Sequence, residues 1–230
     1  MPKTSKRTAS EHAIIAAKAA LTLVAGGGVL KTLLDNYIPS TWQSRQEKVL
    51  SQLSEDMKRL EGRLNDQRLR SEDFHITMVK VIRDSIVELH TAKQEAFRAI
   101  LLNEAMAPTG DRERDLFIKI TEDLTGDHIR LLKVLSDAKK FCDSNQNVRN
   151  TVNALMSPNR MEPSSIDLQS AVGQAMSGIP SDHFAVLLGD LQRYGLILEG
   201  DVINLETFSG GFVKRTKPLG DRYIKFITLP

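Results

Sequence analysis

The chain has 230 residues, 41% hydrophobic and 26% charged, a composition that excludes general disorder and suits one large or two small soluble domains. Thirty-one lysines and arginines face 29 aspartates and glutamates, so a formal charge of +2 offers no general pull on nucleic acid or acidic membrane. Aromatic residues make up only 5%, which favours a helical core over a sandwich or barrel, and a single Cys142 excludes an intramolecular disulfide and points to a reducing, cytoplasmic setting.

Residues 1–10 read as a disordered basic tail. Lys3, Lys6 and Arg7 precede an apolar run, as in a secretory signal. The uncharged stretch between Lys18 and Lys31 is 12 residues, short of the roughly 20 of a spanning helix, and Gly26 to Gly28 interrupt it. A docking helix with Ile14, Ala17, Leu21 and Val24 on one face is the expectation, with peripheral membrane contact through residues 1–34 as a lesser alternative. Helical pattern resumes at Val29 and ends before Pro39, and Ser40 is a natural N-cap for the next helix.

From Ser40 to Ala107 the chain runs 68 residues with no proline and one glycine, Gly62, which predicts long helices. Val49, Leu53, Met57, Leu60 and Leu64 form one stripe at helical spacing, a candidate surface for self-association. After a polar break at Asn65 to Asp73 the stripe returns as Phe74, Met78, Ile82, Leu89, Ala96 and Ile100, predicting a second helix over 71–106. Folding the two back as an antiparallel pair buries both stripes. Charges here balance, and pairs such as Glu55 with Arg59 and Lys80 with Asp84 read as a solvated face.

Pro108-Thr109-Gly110 is a turn. Two helices come after it, Arg112 to Leu124 with Leu116, Phe117 and Ile120 inward, and Asp127 to Cys142 with Asp127 as N-cap and Ile129, Leu132 and Leu135 inward. Residues 11–142 therefore read as a helical bundle, and 143–163, rich in Asn, Ser and Pro, as a linker. Residues 164–230 have another texture. A helix through Ile166, Leu168, Val172 and Met176 is followed by a turn and a second helix through Phe184, Leu187, Leu191 and Tyr194, which ends at Gly195. Short strands meeting at glycines come next: Leu196 to Leu198, Val202 to Phe208 and Phe212 to Thr216. Leu219-Gly220 closes the wing, and Tyr223, Phe226 and Ile227 pack a last segment back. The predicted fold class is mainly α, a long antiparallel helical hairpin or bundle followed by a winged-helix-like domain with a small β-wing.

No constellation for chemistry survives testing. Gly26-Gly27-Gly28-Val29-Leu30-Lys31-Thr32 lacks the glycine before the lysine that a phosphate loop needs, and no strand precedes it. His12, His75, His90, His128 and His183 show no metal-ligand spacing and read as surface or half-buried helix positions. Cys142 has no neighbouring base and reads as core. Glu55-Asp56 and Glu72-Asp73 lie in polar sequence, where nothing raises a carboxyl into the range of a general acid. No catalytic residue, metal or cofactor is expected.

The winged-helix reading requires an electrostatic test. Outward positions of the second helix offer Ser181, Asp182, His183, Val186, Asp190, Gln192 and Arg193, a poor set for base edges and phosphates. The wing is basic instead, with Lys214, Arg215, Lys217, Arg222 and Lys225 against Asp221. That patch suits a nucleic-acid backbone, or guards a strand edge against aggregation.

Three segments resemble bacterial helical proteins related to the Abi-alpha abortive-infection family. They are Gly28 to Pro39 with Arg45 and Val49 to Leu60; Lys93 to Glu104 leading through Phe117-Ile118 to Leu124–Leu135; and Leu188 to Leu191 with Gly195-Leu196-Ile197, Thr216, Gly220, Tyr223 and Phe226-Ile227. The resemblance implies a helical bundle followed by a small winged-helix-like region, no catalytic residues to transfer, and association with phage defence or mobile elements. The expected role is non-enzymatic protein contact, with a homo-oligomer or a protein partner. The alternatives are a winged-helix DNA-binding regulator and a membrane-surface effector.

Overall fold

The computed structural model describes residues 43–155, 165–176, 179–200 and 215–230, and these are mainly helical, with one antiparallel bridge, Ile197 to Thr216, as their only extended pairing. Two units divide the chain: Met1–Glu122 with Phe226–Pro230, and Asp123–Lys225. The division falls at Asp123 rather than within 143–163. The basic tail, the N-terminal helix, Ser40 and the strands expected over 202–208 and 212–214 lie outside the described residues. Among those described, no helix is long and apolar enough to cross a membrane.

In the first unit, α1 (Gln43–Arg59) and a 3-10 turn (Glu61–Arg63) lead to the short α2 (Asp66–Leu69), capped by the Asn65 side chain, which accepts from the Arg68 N–H at 3.0 Å. The helix expected over 71–106 is two helices, α3 (Glu72–Val87) and α4 (Thr91–Met106). Ser71 caps α3 at Phe74, as its position before the apolar stripe implies. The break comes from Glu88, whose carboxylate accepts the N–H groups of Leu89 and His90 at 2.9 and 2.8 Å while its carbonyl accepts the Gln94 amide. Leu89, placed on the stripe by periodicity, is therefore in an exposed loop.

The hairpin is accordingly α3 against α4, not 40–64 against 71–106. Its antiparallel sense is fixed at the α2 end, where the Asn65 N–H reaches the Ala105 carbonyl at 2.8 Å. The α1 helix packs on both. Phe74, Met78, Val81, Ile82 and Ile86 of α3 meet Ala96, Phe97, Ile100 and Leu102 of α4 in the core. Helix α5 (Asp111–Asp123) buries Phe117, Ile118 and Ile120 but leaves Leu116, expected inward, exposed. Phe226 returns to meet Phe117, the rings tilted by 51° with centroids 5.2 Å apart, and the Asn103 amide donates to the carbonyls of Phe226 and Thr228.

In the second unit, α6 (Gly126–Ser136) starts earlier than Asp127 implies, with Thr125 at its N-cap. Helices α7 (Ala138–Ser144) and α8 (Gln146–Leu155) occupy the first part of the expected linker, since Val148 and Val152, one turn apart, are both buried. Then come α9 (Ser165–Ala175), α10 (Ser181–Arg193) and α11 (Pro218–Phe226). Helix α8 packs on α9, α9 on α10, and α10 on α6. Gly173 makes the second contact close: an added Cβ would stand 2.5 Å from the Ile179 carbonyl oxygen and 2.9 Å from the Phe184 ring.

Gly195, at φ 69°, ends α10 in the left-handed conformation, and the Leu196 N–H closes onto the Leu191 carbonyl at 3.0 Å. The chain then pairs Leu198 N–H with the Arg215 carbonyl and Lys217 N–H with the Leu196 carbonyl, each at 2.9 Å. Residues 219–227, expected to close a wing and pack back, belong largely to α11. Pro218 pre-sets its first turn, and Tyr223 and Phe226 recur at helical spacing.

Candidate functional site

Two polar clusters compete for the role. In the first unit, Arg68 and Arg114 both reach Asp73 Oδ2 at 2.5 Å, and Arg68 also reaches Glu104 Oε2 at 2.8 Å. Glu104 is fully buried, and its other oxygen accepts the Thr109 N–H at 2.9 Å. Burial alone would lift the Asp73 carboxyl, but hydrogen bonds and charge from Arg68 and Arg114 outweigh it and hold the group below the ordinary range. Asp73 is thereby held as an anion, and the two carboxyl groups with their arginines join α2, α3, α4 and α5. Such an arrangement is a clamp rather than a proton-transfer site. Asp73 keeps a side chain that is 45% exposed, so it is a surface acid as expected, but one bonded to two arginines.

The intrahelical pairs expected on α1 and α3 take other partners. Arg59 bonds Asp56 at 3.2 Å, Asp56 also meets Arg98 at 2.8 Å, and Lys80 meets Glu122 at 2.8 Å.

The second cluster is Thr125, His128, Asp190 and Arg193. The Thr125 N–H donates to His128 Nδ1 at 3.1 Å, and because an amide can only donate, Nδ1 is the acceptor and the neutral ring carries its proton on Nε2. That proton is directed at Asp190 Oδ2, 3.2 Å away, and Asp190 Oδ1 takes Arg193 Nη2 at 3.1 Å. The Thr125 hydroxyl lies 2.8 Å from Nδ1. His128 is buried rather than on the surface or half-buried, and it ties α6 to α10. Asp190 is turned to this internal use. The chain of bonds closes a capping box at the start of α6. Nearby, the Tyr194 hydroxyl donates to Asp123 at 2.7 Å, which pushes its ionisation up, and Arg193 lies over the Tyr194 ring at 5.5 Å.

With Asp190 held inward, the outer face of α10 is defined. Phe184, Leu187 and Leu191 are buried, while Asp182, His183, Ala185, Val186, Gly189 and Arg193 are exposed. Val186 is 61% exposed, and an added Cβ on Gly189 meets nothing within 4 Å. Sequence periodicity placed Val186 outward but gave no weight to the glycine.

The sequence-predicted residues are scattered. Leu53, Met57 and Leu60 are 2%, 6% and 3% exposed in the core of the first unit, while Val49 and Leu64 are half-buried, so most of that stripe is covered by this chain itself. Lys214 lies outside the described residues. Arg215 is half-buried, Lys217 reaches Glu199 at 3.5 Å, and Arg222 and Lys225 stand exposed on α11. The basic set is thus divided between an extended segment and a helix. Burial pushes the Cys142 thiol up, away from nucleophilic use. Among the described residues no group of three or more His, Cys, Asp or Glu is placed to hold a metal ion.

The fold and these surfaces define a mainly helical protein of two units. No protein-family model, curated protein or solved structure matches the chain.

Proposed function

We propose that this chain is a non-enzymatic, cytoplasmic protein that works by protein–protein contact, self-association foremost. The observation that carries this reading is the exposed face of α10, where Ala185, Val186 and Gly189 lie between Asp182 and Arg193. Helices α9 and α10, followed by the antiparallel pairing of 196–198 with 215–217, support a winged-helix-like second unit. In such a module the second helix reads DNA with cations and amides, but this one offers small and apolar groups with a single exposed cation, which suits a protein surface. The phage-defence or mobile-element setting belongs to the proposal and rests on the Abi-alpha resemblance. Sedimentation equilibrium of the full chain over roughly 10 μM to 1 mM tests self-association. A mass that rises with concentration supports it, and a monomer throughout overturns it.

The second reading, a DNA-binding regulator, draws on Arg222 and Lys225, exposed within one turn of α11, together with Arg215 and Lys217. A salt-sensitive affinity for duplex DNA that disappears when these four become alanine would favour it. No affinity at low salt would reject it.

A further inference from the structure

We infer that the α10 face docks against the same face of a second copy of this chain, the two helices antiparallel about a twofold axis between Leu187 and Leu188. The inference rests on the self-association reading and names the surface that performs it. Asp182, Val186, Gly189 and Arg193 lie within about 60° of one another on a helix of 3.6 residues per turn. They form one line about three turns long, and all are exposed.

The line is self-complementary. Turned end for end, it places Asp182 opposite Arg193 of the second copy, and Arg193 opposite that copy's Asp182. Val186, a projecting side chain, then falls opposite Gly189, which has none. An isologous contact requires this property: the same patch must supply both the acid and the base, and both the projection and the recess. Arg193 is 70% exposed, so its guanidinium can turn from Asp190 toward a partner acid without leaving a buried charge behind.

Gly189 supplies a second reason within the single chain. A glycine inside a helix costs about 1 kcal/mol relative to alanine. Gly173 and Gly220 answer for that cost by close packing within the chain, whereas a Cβ on Gly189 would meet nothing. A partner helix crossing there gives it a use. One helix face is smaller than the roughly 800 Å² per partner of a stable interface, so the pairing is weak and depends on concentration.

The test uses the full chain with Asp182→Arg, Arg193→Asp and Val186→Glu, each checked for native helix content by circular dichroism. Val186→Glu is expected to weaken association about tenfold to a hundredfold. Each charge reversal sets like charges together at both ends of the pair and is expected to weaken self-association about tenfold. Mixing the two reversed chains restores opposite charges at both ends, so the mixture is expected to form a heterodimer at wild-type concentrations. A mixture that stays monomeric overturns the proposed surface, as does unchanged association of Val186→Glu. If wild type associates while the variants do so equally, self-association stands and only this surface fails. If wild type never associates, both fail.

Discussion

Replacing Glu104 with alanine is the sharpest test of what holds the first unit together. Glu104 is fully buried and accepts two bonds, from the Arg68 guanidinium at 2.8 Å and from the Thr109 N–H at 2.9 Å. Its removal leaves Arg68, 11% exposed, with Asp73 as its remaining ion-pair partner in the cluster, and leaves the Thr109 N–H without its acceptor. A lost charged hydrogen bond contributes about 1.5–3 kcal/mol, and the half-buried Thr109 N–H, which water can reach in part, adds about 1 kcal/mol, so about 2–4 kcal/mol is expected in all. Glu104→Gln keeps the shape and one acceptor, and should cost about half as much.

The assay is urea unfolding followed by far-UV circular dichroism, with Arg68→Met and the double variant completing a cycle. Because the contact is shared, the double variant should lose clearly less than the two single losses added together. A Glu104→Ala loss under about 1 kcal/mol, or strict additivity, would refute the clamp.

The same geometry sets three further outcomes. Gly173→Ala forces a Cβ against the Ile179 carbonyl and the Phe184 ring and should lower the melting temperature, whereas Gly189→Ala, in open space, should raise the stability of the dilute monomer by up to about 1 kcal/mol; equal effects in differential scanning calorimetry would contradict both. Asp73 has a depressed folded pKa, so its contribution is present above the ordinary aspartate value of 3.8 and is lost as pH falls through the folded value. Wild type should therefore lose more stability between pH 6 and pH 2 than Asp73→Asn, and parallel urea-midpoint profiles would count against the linkage. His128→Ala removes the bonds joining Thr125, α6 and α10 and should destabilise the second unit by about 1–3 kcal/mol, seen as faster amide exchange over Gly126–Ser136; unchanged exchange would mean that the box is incidental.

Much of the fold was legible in the sequence, because helix periodicity reports burial. Phe74, Met78 and Ile82 lie inward where their spacing puts them, Ser71 caps where a serine before an apolar run should, and Gly195 ends its helix. The break at Glu88 was not legible. Its cause is a side chain competing for backbone amides, and the pattern Val87-Glu88-Leu89-His90 fits a helix equally well. The end of the chain misled for a related reason: Leu219-Gly220 resembles a turn, yet Pro218 starts a helix and Gly220 is there because the Leu196 carbonyl lies against it. Buried arginines escaped altogether, since charge in sequence looks solvated until two helices supply the opposite sign. The α10 face was half visible: Val186 and Arg193 were placed outward, but the inward turn of Asp190 depends on His128, 62 positions away.

Cross-linking tests the central claim most directly. Chains carrying Asp182→Cys and Arg193→Cys, mixed under mild oxidation, should form a disulfide-linked dimer, because antiparallel pairing brings these positions face to face while keeping one Asp182–Arg193 pair. Alone, neither variant should cross-link, since equivalent positions would then lie about 16 Å apart along the axis at 1.5 Å per residue, beyond the roughly 7 Å limit for a disulfide. Cross-linking of either variant by itself, or none in the mixture, would contradict the proposed pairing.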